Sequence, residues 1–342
     1  MSTGTGTGTG TDAGPGIVRG KDNPYLLLTA TMVLWGSAFS SSKVVVEQVP
    51  HGVAALLRFG GGALALLVAL RLFGKRDRTV SVRDRGRAAL AGVLGVFAYN
   101  LCFFGGLALA PSMDGSVIIP VMSPVLTTGF LLVTRREQAS LTRIAGLCLG
   151  VAGAVVFFLG AGAEAASGAG SARLAGDLLF LLSAVCWAAY TLAGPRVLAG
   201  IEPLRATTYA TLAGAVLLAG YAAPELGEVR WGELPTGFWL HVLFLAVGPA
   251  AVANLLYYRG VGAVGPASAS VMMFMVPVFG TFCATVFLGE SFGAVQTVGA
   301  LILLVGAVLA VTQGRLPGRP GRPGRPGRAS HGPAGRVPGQ GR

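Results

Sequence analysis

Residues 100–153 read NLCFFGGLALAPSMDGSVIIPVMSPVLTTGFLLVTRREQASLTRIAGLCLGVAG, and a second version of the stretch stands at 254–306. Asn100 and Leu101 match Asn254 and Leu255, and Gly106 matches Gly260. After a one-residue gap the offset becomes 153 positions, which lays Pro124 and Val125 on Pro277 and Val278, Thr128 on Thr281 and Glu137 on Glu290. The same offset carries Gly146 to Gly299 and Gly153, Ala154, Val155 to Gly306, Ala307, Val308. A shorter echo upstream pairs Trp35 with Trp187. Duplication inside an apolar chain allows two halves to pack as pseudo-symmetric partners around one central site.

Composition sets the surroundings. At 53% hydrophobic and 12% charged residues, with mean hydropathy +0.68, the chain is too apolar for a soluble protein of 342 residues. Charges divide it into about ten apolar segments of helix-spanning length. The segments are long and do not alternate polar with apolar, which argues against barrel strands. The predicted class is therefore an all-α integral membrane protein of ten transmembrane helices, arranged as two inverted five-helix repeats. The repeats are bounded at 23–162 and 163–313, with a Gly/Thr-rich tail at 1–22 and a basic Gly/Arg/Pro-rich tail at 314–342, both read as disordered.

The helices are expected near 25–42, 53–73, 88–109, 115–134 and 144–162, then 174–192, 204–222, 237–258, 268–288 and 293–311. Basic residues collect after the second helix (Arg71, Lys75, Arg76, Arg78, Arg83, Arg85, Arg87) and after the fourth (Arg135, Arg136, Arg143), which assigns those loops and both termini to the cytoplasm. The net charge of +12 thereby reads as an orientation signal rather than a nucleic-acid footprint. Five helices per half is odd, so the two copies sit upside down relative to one another. The four cysteines lie in apolar segments without metal-ligand spacing, and His51, His241 and His331 stand isolated. No cofactor or metal is expected; the partners are a small-molecule substrate and the bilayer, with the oligomeric state open.

The run LWGSAFSSSK at 34–43, the stretch from Tyr99 to Glu137, its copy ending VPVFGTFCATVFLGE, and GDLLFLLSAVCWAAYT at 176–191 resemble the EamA-type drug/metabolite transporters. That resemblance implies a ten-helix carrier exporting amino acids, related metabolites or toxic compounds by alternating access. It implies that helices one, three, four, six, eight and nine line the cavity while five and ten lie at the periphery. Two features depart from the pattern. The first copy ends Arg135-Arg136-Glu137 where the second keeps Leu-Gly-Glu, and helix one carries no acid, which argues against proton or cation antiport.

Substrate-binding candidates follow from which groups are costly in hydrocarbon. Pro120, Pro124 and Pro277 release the carbonyls of Ser116, Pro120 and Met273, which either face the cavity or are closed locally by Ser116 and Ser123. Asn100 and Asn254 bond either a substrate or a neighbouring helix. Trp35, Tyr99, Trp187, Tyr190 and Tyr209 are candidate walls, with Ser37 beside Trp35, whereas Tyr257 and Tyr258 beside Arg259 read as an interfacial belt. Arg58 either meets a substrate carboxylate or forms an external gate, or else it snorkels to the outer interface or pairs with Glu47; Lys43 reads as interfacial. Glycines such as Gly60–Gly62, Gly92, Gly95, Gly146 and Gly150 read as close-packing positions. The readings that remain are a bacterial inner-membrane metabolite exporter, a multidrug exporter, and, in other classes, a lipid-acting enzyme or a non-transporting scaffold. With no catalytic constellation the enzyme is disfavoured, and with no acid on helix one the expected energetics is facilitated export or weak proton coupling.

Overall fold

A computed structural model describes residues 23–73, 81–135, 140–165, 170–197, 201–264 and 272–312; both tails and Glu137 lie outside these. Among the described residues all regular structure is helical. Helix α1 spans Pro24–Val46, started by Asn23, whose side chain accepts from the Tyr25 amide at 3.1 Å, with proline at the first helical position. Helix α2 spans His51–Phe73. Helix α3 runs Val82–Gly92, passes through a π-helical segment Val93–Ala98, and resumes Tyr99–Leu109. Then come α4 (Ser112–Val133), α5 (Leu141–Ala165), α6 (Gly170–Val197) and α7 (Pro203–Ala222). Helix α8 repeats the design of α3: Thr236–Val247, a π segment Gly248–Val252, then Ala253–Val264. Helix α9 spans Met275–Leu288, ended by Gly289 in the left-handed region at φ 68°, and α10 spans Ala294–Thr312.

Two boundaries differ from expectation. Ser81 caps α3 by accepting from the Asp84 amide, so Arg83, Arg85 and Arg87 sit in its first turns rather than in a loop. The helix expected over 268–288 is interrupted by a turn at residues 273–274 and runs regularly from Met275, while residues 268–271 lie outside the described set. Among the described residues seven helices are long and apolar enough to cross a membrane, and Met275–Leu288 is a shorter apolar helix. The seven do not include α1, which carries Thr29, Thr31, Ser37 and Ser40–Ser42, or α7, which carries Arg205, Thr207 and Thr208.

Packing is symmetric when the two halves are exchanged. Helix α1 lies against α8 and α9, and its counterpart α6 lies against α3 and α4. Helices α4 and α9 meet each other, as do α2 and α7, and α5 and α10. At the last pair the backbones touch. A Cβ on Gly146 would meet the Gly306 carbonyl at 2.8 Å, and one on Gly299 would meet the Gly153 carbonyl at 3.0 Å. These contacts are the same contact under the 153-residue offset, and Gly146 facing Ala310 while Gly160 faces Gln296 makes the two helices antiparallel. The packing role expected of Gly61, Gly62, Gly92 and Gly95 holds as well: they face Ala246, Ala250, Ala210 and Tyr190.

Candidate functional site

Hydroxyls on α1 turn inward. Thr31 and Ser42 are fully buried and Ser40 and Ser41 nearly so, because α1 is enclosed by α2, α4, α8 and α9. Arg58 on α2 comes to rest against them, its Nη1 donating to Ser42 Oγ at 3.4 Å. It is only 9% exposed and lies 5.1 Å from the ring centres of Phe59 and Phe103. No acid among the described residues pairs with it: Glu47, the alternative partner, lies 3.8 Å from Lys43, and Arg58 Nε is buried without a bond. Cation–π contacts contribute about 0.5–2 kcal/mol, whereas burying a guanidinium costs several kcal/mol after relaxation. Arg58 is therefore a desolvated cation held in an aromatic box with its charge uncompensated, and the snorkelling alternative does not describe it. Lys43 is not merely interfacial either, since its ammonium donates to Leu107 and Ala110 carbonyls at 2.7 and 3.1 Å.

Several predicted side chains converge on this box. Tyr99 packs on Phe103 at 5.8 Å and on Trp187 at 5.4 Å, and Trp187 packs on Tyr190 at 5.7 Å. Phe39 joins from α1, 5.3 Å from Phe103. One turn earlier on the same helix, Trp35 packs 5.1 Å from Tyr257 and donates to the Pro249 carbonyl at 3.3 Å. Tyr257 in turn donates to Met273 Sδ at 3.8 Å. Tyr257 thus belongs to the interior and not to an interfacial belt; a tyrosine next to an arginine is ambiguous until the rotation of its helix is known. Tyr209 goes the other way, lying 5.8 Å from Arg85 in an α3–α7 groove that shares no residue with the box.

The matched asparagines do something local. Asn100 donates to its own helix at the Val96 carbonyl, 2.6 Å, and Asn254 to the Ala250 carbonyl, 2.9 Å. Each follows a π segment, whose wider turn shifts backbone bonding to five residues and leaves carbonyls to be satisfied. Neither amide ties its helix to a neighbour, as the structural alternative required. Asn100 Oδ1 is nevertheless buried without a partner. Ser37 bonds its own helix at Val33 and Leu34. Ser123 bonds Ile119 and, across to α6, Ala184, while Ser116 bonds Met113. Neither hydroxyl closes the carbonyls released by Pro120 and Pro124, whereas Met273, below Pro277, accepts from the Val276 amide. The prolines, Ser37 and Ser123 are not joined to the aromatic box by any of these bonds.

Three groups escape sequence reasoning. The triple serine at 40–42 is one, and His241, which bonds Ser41 at 3.2 Å, is not isolated; nor is His51, 3.0 Å from Tyr221. The third is an acidic cluster at one end of the bundle. Asp114 and Asp177 are fully buried, on α4 and α6, so the lack of an acid on α1 does not leave the bundle without acids. Arg173 grips Asp114 with Nε–Oδ2 2.8 Å and Nη2–Oδ1 3.0 Å. Glu290 caps α4 from the α9–α10 connection, accepting from the amides of Ser112 and Met113 at 2.9 and 2.7 Å and from Ser112 Oγ at 3.1 Å. A carboxylate on two first-turn amides also opposes the helix dipole. Glu290→Ala is expected to lower stability by about 1–2 kcal/mol, read as a melting shift of the purified protein, with Glu290→Gln intermediate.

Comparison with known proteins agrees with this architecture. The model of the EamA-like transporter family matches residues 23–159 and again 174–312. The uncharacterized transporter YyaM of Bacillus subtilis is 25% identical over 86% of this chain and 95% of its own. The "probable terminal-alkyne amino-acid exporter" of Streptantibioticus cattleyicolor is 28% identical over 82% of this chain and 91% of its own. The inner membrane transporter YedA of Escherichia coli is 27% identical over 84% and 90%. One crystal structure of another protein shares the fold, with TM-score 0.59 over 85% of this chain and 98% of its own at 21% identity.

Proposed function

Because this chain belongs to the EamA-like transporter family, we propose that it exports small organic metabolites, amino acids or related compounds, by alternating access. It sits in the bacterial cytoplasmic membrane with both termini inside, as two inverted repeats at 23–162 and 163–313 that supply ten spans. The exchange-symmetric packing and the reciprocal, antiparallel glycine contacts of α5 and α10 support the inversion.

The observation that carries the substrate class is Arg58. Buried among rings without an acid, it lacks only a planar anion, and a carboxylate offers two oxygens to the guanidinium fork. The exporter from Streptantibioticus cattleyicolor, a relative over most of the chain, moves amino acids according to its name. A multidrug exporter is the second reading, but a cationic drug would meet like charge in a low-dielectric site. Trp35, Tyr99, Trp187 and Tyr190 form the walls, with Asn100, Asn254 and the proline-bearing stretches of α4 and α9 completing the path.

The test is the melting temperature of purified protein against amino acids, polyamines, nucleobases and cationic dyes. A ligand at a hundred times its dissociation constant stabilises the folded form by about 2.7 kcal/mol. Amino acids alone should shift it, whereas a shift with dyes alone would replace the exporter reading with the multidrug one. Trp187→Ala is expected to cut flux about fivefold to 150-fold with expression unchanged, because two ring contacts at about 0.5–1.5 kcal/mol each are lost. Wild-type flux in that variant removes Trp187 from the site.

A further inference from the structure

The cluster at the end of the bundle has more carboxylates than cations. Among the described residues, Asp114, Asp177 and Glu290 stand with one cation, Arg173; Lys43, on α1, faces the α3–α4 junction through the Leu107 and Ala110 carbonyls and lies near Glu47. Two of the three acids are accounted for. Glu290 is held by three donors at the start of α4, and Asp114 by the guanidinium fork, whose Nη2 also donates to Gln296 Oε1 at 3.1 Å. Asp177 is the remainder. It lies one turn beyond Arg173 on α6, fully buried, and neither of its oxygens receives a hydrogen bond. Arg173, one turn earlier on the same face of α6, holds Asp114 by both oxygens, which makes the Asp114 carboxyl the neighbour of Asp177. Two ionised carboxylates offer each other only acceptors, so a bond between them exists only when one carries a proton.

Resting on the carrier reading, we propose that Asp177 and Asp114 form a proton site that couples proton movement to transport. Proton binding converts the Asp177 carboxylate to a carboxylic acid, whose O–H donates to Asp114, and release returns the proton to water. The protonated pair, with Arg173, has no net charge and tolerates burial. The ionised pair carries one uncompensated negative charge, which costs several kcal/mol unless water reaches it. Protonation therefore favours the arrangement closed at this end, and deprotonation the open one, which is the differential interaction a coupling ion needs. A metal cation fits less well. The Asp114 oxygens face a guanidinium, so a cation would find only Asp177 beside a fixed positive charge, and among the described residues no three acidic, histidine or cysteine side chains gather to hold a metal. The site also has a physical connection to the aromatic box, because Ser42, bonded by Arg58, precedes Lys43, which bonds Ala110 at the entrance to α4.

The test is infrared difference spectroscopy of the full-length protein in nanodiscs, between mildly acidic and mildly alkaline pH, without substrate. A carboxylic C=O band that titrates, shifts on 13C-aspartate labelling and disappears in Asp177→Asn is expected. Absence of an aspartate band in the wild type, or its persistence unchanged in folded Asp177→Asn, overturns the proposal. Should Asp177→Asn fail to fold, the labelled wild-type band still decides whether a protonated aspartate exists, and its loss in Asp114→Asn assigns it to the pair; a band kept there overturns the pairing. A melting temperature raised by Na⁺ in place of the band overturns the proton assignment in favour of a metal cation. Because the measurement uses resting protein, a chain that moves no solute refutes the carrier reading without touching this result.

Discussion

Arg58→Met is expected to abolish export of carboxylate-bearing solutes while leaving the melting temperature unchanged or raising it. The two halves of that result have separate causes. Removing the partner of a buried carboxylate costs about 2–5 kcal/mol of binding, so uptake into substrate-free vesicles should fall about 30-fold at the least. In the resting protein, however, Arg58 is a buried charge without an ion-pair partner, and nothing is orphaned when it leaves except the weak 3.4 Å contact to Ser42. Replacement of buried charged groups by apolar ones of similar volume is often neutral or stabilising by about 1–4 kcal/mol. Methionine also keeps contact with Phe59 and Phe103. Arg58→Lys should fall between, keeping the charge over the rings but losing the fork. If Arg58 served packing alone, Arg58→Met would transport normally, and a drop in melting temperature of many degrees would show that the box needs its cation to fold.

The parts of this fold legible in the sequence were those that depend on runs and repeats. Hydropathy sets the helices, and the offset between Gly146 and Gly299 or Gly153 and Gly306 announces a packing surface used twice. The candidate site drew notice in the sequence only where a residue type is rare in its setting: one arginine in an apolar segment, two asparagines, two matched tryptophans. What escaped was set by contacts between distant residues. Asp114 and Arg173 fall just outside the helices expected at 115 and 174, where a charge reads as loop. The structure starts α4 at Ser112 because Glu290, 178 residues away, satisfies its first amides. Asp177 lies inside its expected helix, but a single acid near a helix start is ordinary, and its isolation from donors exists only in three dimensions. Tyr257 shows the same limit, since its neighbour in sequence, Arg259, says nothing of Trp35 on α1. The asparagines were legible as a pair and illegible in role, because a π segment leaves no mark in hydropathy.

Gly306→Ala should be strongly disruptive for a single-methyl addition, and Gly129→Ala, in the C-terminal part of α4, the control. A Cβ at 306 would meet Gly150 Cα at 2.7 Å and the Gly146 carbonyl at 2.8 Å, so it strikes backbone that cannot rotate away. Its partner surface offers no relief, because a Cβ at 153 would meet Leu303 Cα at 2.7 Å. Separating α5 from α10 by enough to admit a methyl loosens contacts along both helices, and in lipid, where no hydrophobic term drives helices together, close packing is what holds them. The cost should reach about 3 kcal/mol, the upper part of the overpacking range. At Gly129 nothing lies within 4 Å of the added methyl, and alanine is the better helix former by about 0.5–1 kcal/mol. Melting of the two purified variants should therefore move in opposite directions from wild type. Equal shifts would mean that the α5–α10 seam yields under load, and that the antiparallel glycine contact records the ancestry of the two halves without holding them together.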